Sequence, residues 1–492
     1  MNTKSRTPVL IVGAGPVGLT MAAELARYQI PVRIIDKSSA RTDKSKAVTL
    51  WSRSLELLDR AGSAEDFISA GLRLHASNFI ADGKHLARVD FDGVQSPYAF
   101  ALSIPQSETE RILEERLFAL GIRVDRNVEL GSLAAAAESV SCVLRRRDGS
   151  EEKTEVDWLV GCDGAHSTVR KDLGLKFRGD TIPYDFALAD LHVAGLDVPP
   201  DELAIFFHGD GMVLFIPIKG DRYRIIADLG PSTGGSRVDP TIEEVQAIVD
   251  RRVGGPVKLS RPIWLAAFGI NERKVDSYRQ GRVFVAGDAA HIHSPAGGQG
   301  MNTGMQDAFN LAWKLALVVQ QKAKPEILDS YTEDRSPVAK QVLADSGRLT
   351  SIAMTKNPVL QQLRNLVAHH VLGFPAARHA MAERLSETFF GYPKSPLNSG
   401  SAAGLNGPAP GDRIVDEKPF GSGNAPRFAL MATDESAAKI MTEKYPSLVE
   451  ASLRTPPDEK GIWLVRPDGY VAAVADDGDW KTIEAALSRI AL

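Results

Sequence analysis

Val9-Leu10-Ile11-Val12-Gly13-Ala14-Gly15-Pro16-Val17-Gly18 opens the readable part of this chain. The apolar run Val9 to Val12 has the composition of a buried parallel strand. Glycines at the spacing G-x-G-x-x-G follow it at once. In such a unit Gly13 permits a tight turn, Gly15 lets backbone N–H groups approach a pyrophosphate, and Gly18 allows the following helix to pack closely on the strand. Pro16 and Val17 complete the candidate phosphate turn, and Leu19, Ala22, Ala23 and Ala26 then recur at helical spacing. A helix N-terminus is worth only about 0.3–1 kcal/mol per charge, so retention of a ligand here requires a wider site.

The next strand-like run, Val32-Arg33-Ile34-Ile35, ends in Asp36, with Lys37 beside it. A carboxylate at that position accepts hydrogen bonds from a ribose whose 2′-hydroxyl is free, and repels a 2′-phosphate. The first pocket is therefore expected to hold the adenosine of FAD or NAD, not of NADP. Two competing readings fail. A glycine turn without a ligand leaves Asp36 without a purpose. A signal peptide is suggested by Lys4 and Arg6 ahead of an apolar stretch, but Glu24 and Arg27 on the helix exclude a secretory h-region.

Two further motifs follow apolar runs. Val156-Asp157-Trp158-Leu159-Val160-Gly161 leads into Cys162-Asp163-Gly164-Ala165-His166-Ser167-Thr168-Val169-Arg170. The Asp163-Gly164 turn falls where open α/β sheets place ligands, and Ser167 can cap the next helix. Arg282-Val283-Phe284-Val285-Ala286 leads into Gly287-Asp288-Ala289-Ala290-His291, in which Asp288 could take a sugar-alcohol hydroxyl. The loop Pro295-Ala296-Gly297-Gly298-Gln299-Gly300-Met301-Asn302 is rich in small residues, which admit close backbone approach. A long helix is expected from near Asn302, with Met305, Ala308, Ala312, Leu315 and Val319 facing a core. In this order the three motifs describe one large dinucleotide gripped at three points, which points to FAD. His291 and His293 flank a single Ile, but without a further Cys or carboxylate apart from Asp288 no metal site is expected.

The composition narrows the class. A chain of 492 residues is long enough for two or three domains with sizeable cores. The net charge of −4 is dispersed and no basic run occurs, which argues against nucleic acid or an anionic membrane surface as partner. No stretch reaches the ~18–20 apolar residues that span a bilayer. With only Cys142 and Cys162, a disulfide framework is not expected and a reducing cytoplasm is.

On these residues, and on the block from Gly281 through Asn310-Leu311-Ala312-Trp313-Lys314-Leu315, the chain resembles the class A flavoprotein monooxygenases of the para-hydroxybenzoate hydroxylase fold, in their phenol-hydroxylase and aromatic-polyketide-hydroxylase branch. The resemblance implies that the first glycine motif binds the ADP part of FAD, that Asp163, Gly164 and Arg170 serve FAD and NAD(P)H, and that Gly287 and Asp288 bind the ribitol. It sets Pro295, Gly297, Gly298, Gly300, Met301 and Asn302 beside the isoalloxazine. Gln106 and Arg111, on an expected helix Glu108 to Leu120, match positions near the flavin and its phosphates. Lys46-Ala47 stands where Arg-Ala is usual, so the bidentate fork is lost while the charge remains. Arg53 matches a recurring Arg that can be purely structural.

The resemblance also implies an organisation. Residues 1–174 would begin a Rossmann-like FAD-binding domain, with part of the substrate region near 75–104. An inserted β-sheet substrate domain would cover 175–277, with Trp264, Phe268 and Asn271 as candidate wall residues. Residues 278–392 would complete the FAD domain. After the Pro/Gly/Ser-rich segment from Pro393, a thioredoxin-like C-terminal domain (393–492) would lack the C-x-x-C of active thioredoxins. The activity implied is NAD(P)H-consuming hydroxylation of a phenolic or polyketide-type aromatic ring by O2 through a flavin C4a-hydroperoxide, in a monomer or homodimer. Baeyer–Villiger-type or antibiotic-modifying oxygenation by the same flavin, and a flavin-binding scaffold or sensor without turnover, are the alternatives. The side chain that performs the chemistry is left open, because the flavin carries the hard step.

Overall fold

The structure, a computed structural model, describes residues 7–232, 238–355 and 357–492; Lys4 and Arg6 lie outside the described residues. The first glycine motif begins where its strand ends. Strand Thr7–Val12 is the centre of a parallel array, pairing with Val32–Asp36 on one side and with Glu151–Gly161 on the other. Val124–Arg126 and Val283–Val285 extend the array at its two ends. Val9 to Val12, Leu159, Val160 and Val283 to Val285 are buried on both faces, as strands covered by helices must be. Helices Pro16–Arg27 and Gly300–Val319 pack on this sheet. The second of these starts slightly before Asn302, at Gly300.

A second eight-stranded sheet stands apart from the first. Its order is His291–Ile292, Lys258–Lys274, Arg178–Ala194, Arg222–Pro231, Gly211–Ile218, Glu202–His208, Ala76–Ala81 and Lys84–Asp90. Every neighbouring pair is antiparallel except Glu202–His208 with Ala76–Ala81. The segment near 75–104 therefore adds strands to the sheet formed mainly by 178–274.

Near the C-terminus, Ser399–Gly400, Val471–Asp476, Gly461–Val465 and Ala429–Met431 form a four-stranded sheet in that order, with helices Glu435–Lys444 and Trp480–Ile490. The Pro/Gly/Ser-rich segment thus supplies an edge strand rather than a free linker. The sheet is joined to the rest by a buried ionic cluster. Arg466 donates to Asp334 and Asp468, Lys314 donates to Asp334, and Trp313 Nε1 donates to Asp468. Arg53 belongs to the same junction: it is buried, bonds Glu56 and the carbonyl of Asp468, and lies over the ring of Tyr470.

Candidate functional site

One cavity of about 740 Å³ runs between the two large sheets, from the C-terminal ends of the parallel strands to the inner face of the antiparallel sheet. Its walls include Gly13, Gly15, Pro16, Val17, Asp36, Lys37, Lys46, Gln106, Asp163, Gly164, Asp288, Pro295, Gly297, Gly298, Gly300 and Met301. The three sequence motifs therefore meet on one space, although they are far apart along the chain.

The backbone at the first turn is as crowded as its glycines imply. Gly13 has φ +102°, and a Cβ there would stand 2.4 Å from the carbonyl oxygen of Cys162. A Cβ on Gly18 would stand 1.9 Å from the carbonyl oxygen of Gly13, so Gly18 serves helix packing and does not line the cavity. Gly15 is different: nothing lies within 4 Å of its Cβ position, which leaves room for a ligand at the helix N-terminus. Asp36 holds the turn by accepting from the N–H of Ala14 (2.7 Å) and of Ser38 (2.8 Å), keeping further lone pairs for a sugar hydroxyl. Asn127 N–H donates to the Ser38 carbonyl and brings Val128, Glu129 and Leu130 into the same wall.

Asp163 Oδ2 accepts from the N–H groups of Thr168 (2.7 Å) and Val169 (3.2 Å), whereas its buried Oδ1 has no partner. Burial raises the pKa of this carboxyl, with those hydrogen bonds acting in the opposite sense. Asp288 is exposed, with its side chain open to the cavity. The protein crowded around it raises its pKa, against the nearby His291 and Lys46. Two carboxylates short of donors, an open helix N-terminus and a ribose-type acceptor at Asp36 form a donor and acceptor set that fits a dinucleotide.

Arg111 and Arg170 depart from their expected cofactor contacts. Arg111 is on the helix Gln106–Ala119, paired with Glu108 and Glu115 on its outer side, and does not line the cavity. Gln106, at the start of this helix, does line it, accepting from Ala47 N–H and donating to Glu110. Arg170 is turned into the protein, where it donates to the carbonyls of Ala165 (2.7 Å) and Ala289 (3.1 Å) and covers the ring of Phe177. It thus pins the Asp163 turn to the Gly287–Ala290 turn. Gly287 is packed against Val17, where a Cβ would stand 2.7 Å from Cγ2. Beneath it, Asp307 accepts from Gly287 N–H, His291 Nε2 (2.7 Å) and Arg335 Nε (2.7 Å).

The glycine loop is clamped from two directions. Asn302 is buried and does not line the cavity; its amide accepts from Trp51 N–H and donates to the carbonyls of Thr49 and Gly298. Trp51 Nε1 donates to the Gly297 carbonyl. From the far side, Gln299 donates to the Arg384 carbonyl, while Thr303 and Gln306 donate to the buried Glu387. Burial pushes the Glu387 carboxyl up to about 8.

Beyond the loop the cavity is apolar. Phe79, Phe186, Leu203, Ile205, Phe207, Met212, Leu214, Ile216, Ile226 and Ile270 from the antiparallel sheet face Leu349, Ala353, Met354, Met381 and Leu385 from helices. The candidate wall residues Trp264, Phe268 and Asn271 are not among them. Phe268 stacks behind Phe186 at 5.7 Å, Trp264 lies by the guanidinium of Arg224, and exposed Asn271 accepts from Thr181 Oγ1. Period-two geometry also places Asn271 on the opposite face of the strand from Trp264 and Phe268. Arg224 reaches the cavity wall, but Asp190 takes it in a two-pronged pair (2.7 Å each) and the Lys46 carbonyl takes a third N–H. Among the described residues no helix is long and apolar enough to cross a membrane.

Comparison with known proteins agrees with this geometry. A family model described as FAD binding domain matches residues 6–346. The 6-methylpretetramide 4-monooxygenase of Streptomyces rimosus is 34% identical over 98% of this chain and 93% of its own. The pentachlorophenol 4-monooxygenase of Sphingobium chlorophenolicum is 31% identical over 98% of this chain and 97% of its own. Among solved structures, the OxyS anhydrotetracycline hydroxylase from Streptomyces rimosus superposes with a TM-score of 0.79 at 29% identity, covering 99% of both chains.

Proposed function

Since the chain belongs to the FAD-binding-domain family, the class A flavin-dependent aromatic monooxygenases, we propose that it oxygenates a neutral, polycyclic phenol of the polyketide type. The chain is an FAD-dependent monooxygenase that uses NAD(P)H. The observation that carries the substrate reading is the apolar end of the cavity. Its aromatic and aliphatic walls suit a flat, multi-ring molecule, and its one buried guanidinium, Arg224, is already matched by Asp190. A carboxylate-bearing substrate would lose hydration there without gaining an unpaired cation.

When bound, FAD supplies the redox chemistry, taking hydride from NADPH or NADH and activating O2 for transfer of one oxygen atom to the ring. The protein's part is to hold and to shield. In this reading Asp36 accepts from the adenosine ribose, Gly13, Gly15, Pro16 and Val17 border the pyrophosphate, and Lys37, Lys46, Gln106, Asp163 and Gly164 line its surroundings. Asp288 accepts from the ribitol. Pro295, Gly297, Gly298, Gly300 and Met301 border the ring system, and the start of helix Gly300–Val319 favours negative charge there. The apolar walls exclude water that would divert the activated oxygen to hydrogen peroxide. Residues 1–174 and 278–392 would form the FAD-binding unit and 175–277 the substrate unit, a division supported by their separate sheets. The four-stranded C-terminal sheet of 393–492 would be thioredoxin-like without its redox chemistry. O2 as co-substrate, a monomer or homodimer, and residence in the cytoplasm complete the reading; the two cysteines, both free thiols, support the last.

The test is to screen phenolic, naphthacene-like and ansamycin-like compounds, with carboxylated analogues, for stimulated NAD(P)H consumption and a one-oxygen gain in product mass. Preference for the carboxylated analogues would refute the neutral-substrate reading. Ring analysis of the product separates hydroxylation from oxygen insertion beside a ketone.

A further inference from the structure

Among the described residues, two cavity-lining side chains carry a buried polar atom with no hydrogen-bond partner: Asp163 Oδ1 and His293 Nε2. The first belongs to the nucleotide end. His293 stands beside the glycine loop, and the function proposed above assigns it no role.

The hydrogen bonds around the ring fix its tautomer. Nδ1 lies 2.8 Å from the carbonyl oxygen of Ser294. A carbonyl can only accept, so Nδ1 carries the proton and Nε2 presents a lone pair. Burial, with His291 nearby, lowers the His293 pKa to about 4, so the ring is neutral at ordinary pH. Its neighbour Ser294 bonds Thr350 on helix Ser330–Ala353, which with Leu349 and Ala353 walls the apolar end. Neither hydroxyl is free to serve a ligand as donor: Thr350 donates to the Ser346 carbonyl, leaving Ser294 to donate to Thr350. Arg224 gives three of its five N–H groups to Asp190 and the Lys46 carbonyl, and its charge is matched by Asp190. Ser77, on the strand face of Phe79, adds a hydroxyl to this wall, whereas His293 Nε2, beside Gly300, is an acceptor alone, and a buried acceptor without a donor costs free energy until a ligand supplies one.

We propose that His293 Nε2 accepts the hydrogen bond of the substrate's ring hydroxyl, and thereby fixes which ring position is presented for oxygenation. This rests on the phenolic-substrate reading above. It makes the hydroxyl a recognition element as well as an activating group for the ring.

The test uses FAD-loaded enzyme titrated with 2-naphthol and with its methyl ether, 2-methoxynaphthalene, following the flavin absorbance. Wild type is expected to bind the naphthol about tenfold more tightly than the ether, the difference of one hydrogen bond made in a closed site. His293→Leu should bring the two within about twofold by weakening the naphthol alone, and His293→Gln, which keeps an acceptor, should restore part of the preference. The proposal is overturned if wild type shows no preference, or if His293→Leu retains FAD and keeps it. Equal weakening of both ligands with a shifted flavin spectrum would assign Nε2 to the flavin and also overturn it. A His293-dependent preference in an enzyme whose NAD(P)H consumption no phenol stimulates would instead sink the functional reading alone.

Discussion

Arg466 Nη2 donates to Asp334 Oδ2 across 2.8 Å, and neither side chain has any surface in contact with solvent. The pair ties the C-terminal sheet to helix Ser330–Ala353, and Lys314 brings helix Gly300–Val319, which starts at the glycine loop, to the same carboxylate. The Coulombic gain of such a pair is largely offset by desolvation, but removing one partner strands the other. Arg466→Met is therefore expected to destabilise the protein by about 3–5 kcal/mol in urea unfolding. Combined with Asp334→Asn, the loss should fall well short of the sum of the single changes. The flavin spectrum of the folded fraction should hold, since no cavity-lining residue lies beyond Leu385. Strict additivity would remove the coupling.

Arg170 supports two turns at once, so its replacement should act through their spacing rather than through a lost charge on the ligand. Arg170→Ala is expected to lower FAD affinity by about tenfold or more, and Arg170→Lys should recover little, because Lys lacks the two separate Nη atoms that reach the carbonyls of Ala289 and Ala165. Flavin retention on desalting measures this. Full recovery in the Lys variant would mean that the charge itself is what FAD requires.

The nucleotide end of the cavity was legible in the sequence because backbone demands leave a residue signature. Gly13 and Gly18 face atoms that no Cβ could tolerate, and Asp36 ends its strand with its carboxylate on the Ala14 N–H of the glycine turn. Arg111 misled because Glu108 and Glu115, at helical spacing on its own helix, hold the side chain outward. The apolar wall was not legible. Six of the eight strands of the antiparallel sheet give it one to three residues each, such as Phe79, Ile205 and Ile226, and their composition matches ordinary core. Trp264 lies by Arg224, Phe268 stacks on Phe186, and Asn271 falls on the opposite face of their strand, an odd offset that breaks the alternation of a single face. Glu387 could not have been found, since its partners Thr303 and Gln306 lie more than eighty residues away.

Glu387 makes stability depend on pH. Its carboxyl goes from the ordinary 4.5 to about 8 in the fold, so the native state binds a proton more tightly than the unfolded chain. The sign follows: this contribution is fully present below pH 4.5 and is lost as pH rises towards 8. Glu387→Gln, which cannot ionise, should be the more stable of the two by roughly 1–3 kcal/mol at pH 9, with the difference shrinking as pH falls. Thermal midpoints of both proteins across that range provide the check. A difference that stays constant with pH would show that Glu387 does not titrate within it.

Gly15 and Gly298 should fail in different ways when enlarged. Gly15 has φ −77°, open to any residue, and empty space at its Cβ position, so Gly15→Ala is expected to fold with near-normal stability. The added methyl would occupy space left for the phosphates and should weaken FAD binding by about tenfold. Gly298 has φ +65°, and its carbonyl is held by Asn302 while Trp51 holds the Gly297 carbonyl. A β-branched residue in that left-handed conformation carries about 1–3 kcal/mol of strain, which the clamped loop can relieve only by moving. Gly298→Val should therefore lose both loop order and FAD, or retain FAD and release more hydrogen peroxide per NAD(P)H consumed, as water enters beside the ring system. Apo-protein melting separates the two variants and peroxide yield tests the second. A Gly298→Val enzyme with normal FAD content and unchanged peroxide would show that the loop's conformation does not govern how the flavin is enclosed.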